Sequence, residues 1–253
     1  MGSNIGSPYE FHAASISEIK ASKGILHRIT INDKGSSTWT LSVFDEASAN
    51  NLFEYFSATA AASANVYDTT WQTQTFTIGT LGSNVKQYVN RISILAYRVG
   101  SPGDVTISIK AVDAAHKPTG SALATSTVSA NAWTEVVTGL WYDFDMVIPY
   151  ELAASTEYAI EVKATTGDSS NKIVWLKKAT SGYAGGLDGA STDSGSTWTM
   201  GSGDFTFKQS GFREYLKLIP TVTGTMELRC NFSRGLGIAP LAGTAGSLTV
   251  VYE

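Results

Sequence analysis

The chain has 253 residues, of which 16% are charged and 11% aromatic, and its formal net charge is −4. It has no run of like charges and no basic stripe, which excludes the electrostatic surface that a nucleic-acid-binding protein needs. One cysteine, Cys230, excludes an intrachain disulfide and a cysteine-rich metal cluster.

Apolar and polar residues alternate with a period of two along the whole chain, which predicts strands. Residues 25–31 and 39–43 form the first predicted pair, joined by a turn signal, NDKGS, at 32–36. We expect His27 on the apolar face of its strand as a structural histidine. Further strands are predicted at 89–99, 105–112, 133–140, 157–163, 172–177, 205–208, 225–232 and 248–252. The pattern therefore predicts an all-β protein.

Residues 46–64 and Cys230 each need a separate prediction. Residues 46–64 are rich in alanine and aromatic residues, which fits a short helix as well as a strand followed by a linker. The sequence leaves these two alternatives open. Cys230 alternates with Leu228 and Phe232, so we expect it to be a buried apolar residue.

The spacing of strands and turns favours sandwiches or jelly rolls, and the chain length suits two of them. Residues 15–57 and 216–253 each supply too few strands to close a sandwich alone. We therefore predict a jelly-roll-like β-sandwich split in sequence, built from residues 1–57 and 216–253. A second β-sandwich, residues 66–215, is inserted into it after a linker at 58–65. Termini and insertion points commonly lie close together on a domain surface.

Seven short motifs occur in order through the central segment. They are QTFTI (74–78), SPGDVTISI (101–109), KPTGSAL (117–123), LAASTEYAI (152–160), YAGG (183–186), SGSTW (194–198) and DFTF (204–207). In this order they resemble the modules of the choice-of-anchor group. The resemblance implies a carbohydrate-binding-like β-sandwich of a cell-surface or viral protein, generally without catalytic groups.

The two ends of the chain carry a different set of motifs. They are KGILHRITI (23–31), TLSVFD (40–45), RGLGI (234–238) and SLTVVYE (247–253). These segments are similar to small β domains of tailed-phage virion proteins of the decoration or fibre type. Together the two resemblances imply a virion surface protein that carries an inserted, carbohydrate-binding-like module.

Three aromatic residues lie in or beside a segment rich in Gly, Ser and Asp, at 171–208. Aromatic rings stack on the apolar C–H faces of sugars, and carboxylates bind sugar hydroxyl groups, as in small-ligand sites generally. The candidate glycan-binding residues are Trp175, Tyr183, Trp198 and Asp204. Packing of the rings onto the sandwich is the competing interpretation, and it is the favoured one.

Four carboxylates are placed where they could bind a cation. Asp188 and Asp193 lie among glycines and are candidate ligands of a Ca²⁺ ion, although their spacing does not match an EF-hand loop. A Gly/Asp turn is the simpler interpretation. Asp143 and Asp145 share one face of a strand if residues 141–147 are extended, and we interpret them as solvated charges. No other cofactor is expected.

No motif of a known catalytic centre is present in the sequence. His12, His27 and His116 are the histidines, and none lies in a metal-binding spacing. The nucleophile elbow GxSxG and the phosphate-binding loop are absent as well. We therefore expect that the chain is not an enzyme.

The sequence favours a non-enzymatic virion structural protein, either a capsid decoration protein or a fibre-type protein, assembled in the host cytoplasm. Its partners would be other virion proteins and further copies of the chain, with a trimer favoured by the resemblance. A glycan is an additional candidate partner, whereas nucleic acid and membrane are not expected. The N-terminus has no apolar signal-peptide region and the chain no membrane-spanning run. The alternative is a cell-surface or secreted carbohydrate-binding module.

Overall fold

The computed structural model describes residues 8–12, 17–20, 22–33, 39–45, 50–58, 61–220, 222–232, 234–242 and 247–252. This part of the chain is all-β and contains no helix. It divides into two compact units. The first unit joins Met1–Asn51 with Gly211–Glu253, and the second is Leu52–Ser210.

The strands are numbered in chain order across both units. Those of the first unit are β1 (Pro8–His12), β2 (Ser17–Lys20), β3 (Gly24–Asp33), β4 (Thr40–Phe44), β18 (Glu214–Leu218), β19 (Gly224–Phe232), β20 (Leu236–Ala242) and β21 (Ser247–Tyr252). Those assigned to the second are β5 (Asn51–Phe56), β6 (Ala62–Val66), β7 (Trp71–Thr77), β8 (Gln87–Val99), β9 (Asp104–Val112), β10 (Pro118–Ser129), β11 (Leu140–Leu152), β12 (Glu157–Lys163), β13 (Lys172–Lys178), β14 (Asp188–Ser191), β15 (Thr199–Met200), β16 (Asp204–Phe205) and β17 (Phe207–Phe212).

The first unit is an eight-stranded jelly roll made of two four-stranded sheets. One sheet has the order β1-β21-β3-β19 and the other the order β18-β4-β20-β2. If the eight strands of this unit are renumbered 1 to 8 in chain order, the two sheets have the orders 1-8-3-6 and 5-4-7-2. These orders are those of a jelly roll. All the pairs are antiparallel, and each joins a strand before the second unit to a strand after it. The predicted fold class is therefore confirmed.

Side chains from both sheets of the jelly roll meet in one apolar core. Ile29 of β3 and Val250 of β21 come from one sheet, while Leu41 of β4 and Ile238 of β20 come from the other, and all four are fully buried. Trp39, just before β4, is also fully buried. Removing an aliphatic side chain of this size from water contributes about 1.5–3 kcal/mol, so the core depends on residues from both ends of the chain.

The core-facing residues of β3 do not keep a strict period of two. Ile29 and Ile31 are buried as the alternation predicts, but Leu26 is buried instead of Ile25. The pairing of β3 with both of its neighbours shifts register here, and such a β-bulge turns the next side chain to the other face. Cys230 lies at the same shift in β19 and is only partly buried, so the prediction of a buried cysteine is corrected.

The second unit is a larger sandwich of two sheets. The six-stranded sheet has the order β10-β9-β12-β7-β14-β15. The seven-stranded sheet contains β16-β13-β8-β17-β5, with β11 paired to β8 and β6 paired to β13. Phe76 and Ile107 from the six-stranded sheet pack in one core with Ile92, Phe144 and Trp175 from the seven-stranded sheet.

The described part of segment 46–64 contains two strands and no helix. Residues 46–49 and 59–60 lie outside the described residues, but Asn51–Phe56 and Ala62–Val66 are strands. The linker predicted at 58–65 is therefore wrong for residues 62–65, because β6 pairs with β13 and belongs to the sheet. Of the turn predicted at 32–36, residues 34–36 also lie outside the described residues.

The strand predicted at 133–140 is wrong. Residues 131–139 form turns, and β11 begins only at Leu140. The Trp133 backbone N–H donates to the Ala130 carbonyl (3.0 Å), and its ring stacks on Tyr142 with centroids 3.8 Å apart. Gly139 then adopts a left-handed φ of +68°, which favours glycine. The strand predicted at 205–208 is likewise interrupted, since β16 ends at Phe205 and β17 begins at Phe207.

Deleting residues 221–253 tests the split jelly roll. The deletion removes β19, β20 and β21, and with them both neighbours of β3. We expect the amide protons of β3 and β4 to lose their protection against hydrogen exchange, while those of β7 in the second unit keep it. Mass spectrometry after deuterium exchange measures both. Protected β3 amides in the shortened chain would contradict this topology.

Candidate functional site

Trp175, the first candidate glycan-binding residue, lies in the core of the second unit. Its side chain is fully buried, and its ring stacks on Phe205 with centroids 4.1 Å apart. The indole Nε1–H donates to the Thr206 carbonyl at 2.8 Å, so the polar edge of the ring is also satisfied. Trp175 therefore presents no face to a ligand.

Tyr183 is buried against the carboxylate of Glu54. Its hydroxyl donates to Glu54 Oε2 at 2.9 Å, and its ring meets the Phe207 ring edge-on. Glu54 is fully buried and also accepts N–H groups from Gly79 (2.8 Å) and Leu81 (3.0 Å). Burial and the Glu54 charge raise the pKa of Tyr183 above its ordinary value. The pair fixes the turn after β7 to β5 and the loop after β13.

Trp198 closes the turn that follows β14. It is 6% exposed. Gly195 adopts a left-handed φ of +78°, and a Cβ there would lie 2.8 Å from the Trp71 ring and 3.5 Å from the Trp198 ring. The two indoles therefore enclose this glycine. Because Trp175, Tyr183 and Trp198 are all buried, the prediction of an exposed aromatic face for a glycan is wrong, and the competing interpretation as packing residues describes them.

Asp204 stabilises the loop backbone. It is fully buried, and its Oδ2 accepts the N–H groups of Gly182 (2.7 Å) and Tyr183 (2.9 Å). Its Oδ1 accepts Gln74 Nε2 at 3.2 Å. Burial raises the pKa of Asp204, and the charge of Asp188 raises it further, while these donors oppose the shift. The carboxylate is out of reach of a sugar hydroxyl, so its prediction as a glycan ligand is corrected too.

The two candidate calcium ligands have separate roles. Asp188 is buried, forms an ion pair with Lys177 and accepts the Gly203 N–H at 2.9 Å. Asp193 is exposed and holds its own turn, accepting the Thr197 hydroxyl (2.6 Å) and N–H (2.8 Å). Across the described residues, no group of three or more His, Cys, Asp or Glu side chains is arranged to hold a metal ion. The arrangement at Asp193 is that of a Gly/Asp turn.

Asp143 and Asp145 share one face of β11 and are bridged by Arg91 of β8. Arg91 Nε lies 2.5 Å from Asp145 Oδ1, and Arg91 Nη1 lies 2.9 Å from Asp143 Oδ2. Ser93 Oγ donates to Asp143 Oδ1 at 2.6 Å. The hydrogen bonds that Arg91 donates to the Asp145 carboxylate raise the pKa of Arg91. These carboxylates are paired surface charges that stabilise the β8–β11 contact, and His116 is similarly paired with a carboxylate, that of Glu157, at 2.7 Å.

The jelly roll carries an exposed apolar surface that the sequence pattern does not predict. We define the β18–β19 surface as Ile219, Val222 and Met226, which are 54%, 69% and 43% exposed. These residues border a pocket of about 200 Å³, which Ile31 and Leu218 also line. The signal available in the sequence was the pair Ile219 and Val222 in a short connection, where turn residues are usually polar.

Comparison with known proteins gives no relative that identifies the chain. No family model matches, and no curated protein matches. Among solved structures, the chain is compared with the structure of the infectious bursal disease virus Gx strain. The two have a TM-score of 0.19 and 11% sequence identity, and the match covers 93% of this chain and 66% of that one. The VP2 subviral particle of the same virus has a TM-score of 0.16 at 12% identity, over 92% and 65%. The chain thus spans just under two thirds of either structure, and likenesses this weak carry no argument. In the described residues, no helix has the length and apolarity to span a membrane.

Replacing Tyr183 by phenylalanine tests the buried Glu54 pair. Tyr183→Phe removes one hydrogen-bond donor from a buried carboxylate, and we expect it to lower the free energy of unfolding by about 1–3 kcal/mol. The matched control is Tyr55→Phe, because Tyr55 is 39% exposed and its change should stay within about 0.5 kcal/mol. Denaturant unfolding measures both. Equal effects of the two variants would contradict the proposed role of Tyr183.

The turn held by Asp193 should open in acid. Hydrogen bonds from Thr197 and Ser191 lower the pKa of Asp193 from 3.8 to about 2. Since the folded-state pKa is depressed, the turn's stabilisation is present above the unfolded pKa and is lost as the pH falls towards 2. NMR of the Thr197 amide should show a transition in this window that is absent in Asp193→Asn. A transition centred near the ordinary Asp pKa would contradict these contacts.

Proposed function

We propose that the chain is a non-enzymatic structural protein of a virion, of the capsid decoration or fibre type. The observation that carries this proposal is the first unit, an eight-stranded jelly roll whose sheets have the orders β1-β21-β3-β19 and β18-β4-β20-β2. Jelly rolls of eight strands are the architecture of viral capsid domains, and also of lectins and cupins. The jelly roll would provide assembly, and the inserted sandwich would be displayed.

The placement of the insertion supports a division of labour between the units. The second sandwich interrupts the jelly roll only between β4 and β18, and the first and last described strands, β1 and β21, both belong to the jelly roll. An inserted domain takes the place of one surface loop of its host domain, so its sequence can vary without altering the host fold. This suits a displayed module on an assembling base.

The β18–β19 surface supports the assembly role of the jelly roll. Its three side chains are 43–69% exposed, and they border a pocket with mostly apolar lining residues. Clustered apolar side chains of this kind mark interaction sites on soluble proteins. The partners we propose are further copies of the chain in a closed oligomer, with a trimer as the first expectation, and neighbouring proteins of the virion.

The contacts of the titratable groups support a non-enzymatic role. Glu54 and Asp204 stabilise loops, Asp143 and Asp145 pair with Arg91, and Asp193 closes a turn. These side chains are occupied by structural partners in the described part of the chain. The alternative of a carbohydrate-binding module loses the aromatic residues on which it rested, and no observation now favours it.

Light scattering over a dilution series tests the assembly role. We expect the wild-type chain to form a closed oligomer and Val222→Asp to shift it towards monomer, because a charge at a buried contact is costly. The matched control is Val136→Asp, since Val136 is 60% exposed but lies in the inserted sandwich. It should leave the oligomer unchanged. A wild-type monomer at every concentration, indifferent to Val222→Asp, would contradict the proposal.

A further inference from the structure

β13 carries a lysine on its core-facing side. Side chains alternate along a strand, so Ile173, Trp175 and Lys177 share one face of β13. Ile173 and Trp175 are fully buried core residues. Lys177 is therefore directed between the two sheets of the inserted sandwich, where lysine is rarely found without a specific partner.

The partner of Lys177 lies on the opposite sheet. Lys177 Nζ is in direct contact with Asp188 Oδ2, and the two side chains are only 23% and 6% exposed. Lys177 belongs to β13 of the seven-stranded sheet, whereas Asp188 is the first residue of β14 in the six-stranded sheet. The contact thus connects the two sheets across the interior.

The surroundings hold the amine and the carboxyl group in place. Lys177 Nζ lies 5.1 Å from the centre of the Phe205 ring. Asp188 Oδ1 accepts the Gly203 N–H at 2.9 Å. Gly201 is required beside it, because a Cβ there would lie 2.3 Å from that oxygen. Asp204 lies close to this carboxyl group: burial raises the pKa of Asp204, and the charge of Asp188 raises it further.

We propose that Lys177 and Asp188 become joined by an intramolecular amide bond, which links the two sheets covalently. Lys177 Nζ first passes one proton to Asp188 Oδ2, which it contacts, and so becomes a neutral amine with a free lone pair. The amine then attacks Cγ of Asp188, the N–Cγ bond forms and the Cγ–Oδ2 bond breaks. The two protons that the ammonium nitrogen gives up leave with Oδ2 as one water molecule. The Gly203 N–H stabilises the negative charge that develops on Oδ1. No oxidant, metal or cofactor enters the reaction.

Two physical effects favour this bond. Groups held in contact react as if at an effective concentration of about 10⁵ M or more, which compensates for the poor electrophilicity of a carboxyl group. The product is also a neutral amide, whereas the ion pair keeps two charges in a site that solvates them poorly. Burial of the site therefore favours condensation over the salt bridge.

The mass of the intact, denatured wild-type chain tests the proposal. We expect a species lighter than the sequence mass by one water molecule and unaffected by reducing agents. Fragmentation of the protease-derived peptides should place the bond between Lys177 and Asp188. A chain at its full sequence mass, with Lys177 and Asp188 in separate unmodified peptides, would overturn the proposal.

A matched variant distinguishes the amide bond from a second reaction that also removes one water molecule. Asp188 is followed by Gly189, and such a pair can cyclise to a succinimide with the same change in mass. Lys177→Arg keeps the positive charge beside Asp188 but removes the amine nucleophile, so we expect it to show the full sequence mass. The same missing water in Lys177→Arg would assign the loss to the succinimide and overturn the amide.

Discussion

The jelly roll depends on pairing between segments that lie far apart in the chain. β3 has β21 and β19 as its two neighbours, and β4 has β18 and β20. Every one of these neighbours follows the inserted sandwich. Neither the N-terminal segment nor the C-terminal segment can therefore form these sheets alone. The inter-strand backbone hydrogen bonds of the N-terminal strands form only when the C-terminal strands pair with them. Contacts of such sequence separation are costly in loop-closure entropy and form slowly, so the inserted unit has time to fold first.

The fold class followed from alternation, but the arrangement of strands did not follow from it in detail. The period of two identifies Ile29 and Ile31 as core residues, because each strand has one buried face. The burial of Leu26 depends on a bulge set by two partner strands, which no local pattern records. Trp133 illustrates the opposite error, since an aromatic residue in an apolar run suggested a strand where the ring instead anchors a turn on Tyr142.

The candidate site differs from its prediction for a related reason. A loop rich in Gly, Ser and Asp is expected to be exposed to solvent. In the structure, its carboxylates accept hydrogen bonds from backbone N–H groups of the loop, and its aromatic rings pack into the core. Asp204 accepts hydrogen bonds from the backbone N–H groups of Gly182 and Tyr183. The Tyr183 hydroxyl in turn donates to Glu54, which lies more than a hundred residues earlier in the chain. A sequence shows which residues can make such contacts, but the partner is chosen by the fold. The cross-sheet contact of Lys177 with Asp188 was hidden in the same way, because each residue alone looks like an ordinary charge.

The N-terminal and C-terminal segments form one jelly roll with a defined strand register. Thr30 and Thr249 are directly paired between β3 and β21. Paired residues of antiparallel strands lie about 5 Å apart at Cα, within reach of a disulfide. The most direct measurement is therefore the oxidation of Thr30→Cys with Thr249→Cys in a chain that also carries Cys230→Ser. We expect nearly complete intramolecular disulfide formation, seen as loss of both thiols in the monomer mass, and much less with Thr30→Cys and Ser247→Cys. Two thiols that stay reduced at positions 30 and 249 would contradict the jelly roll.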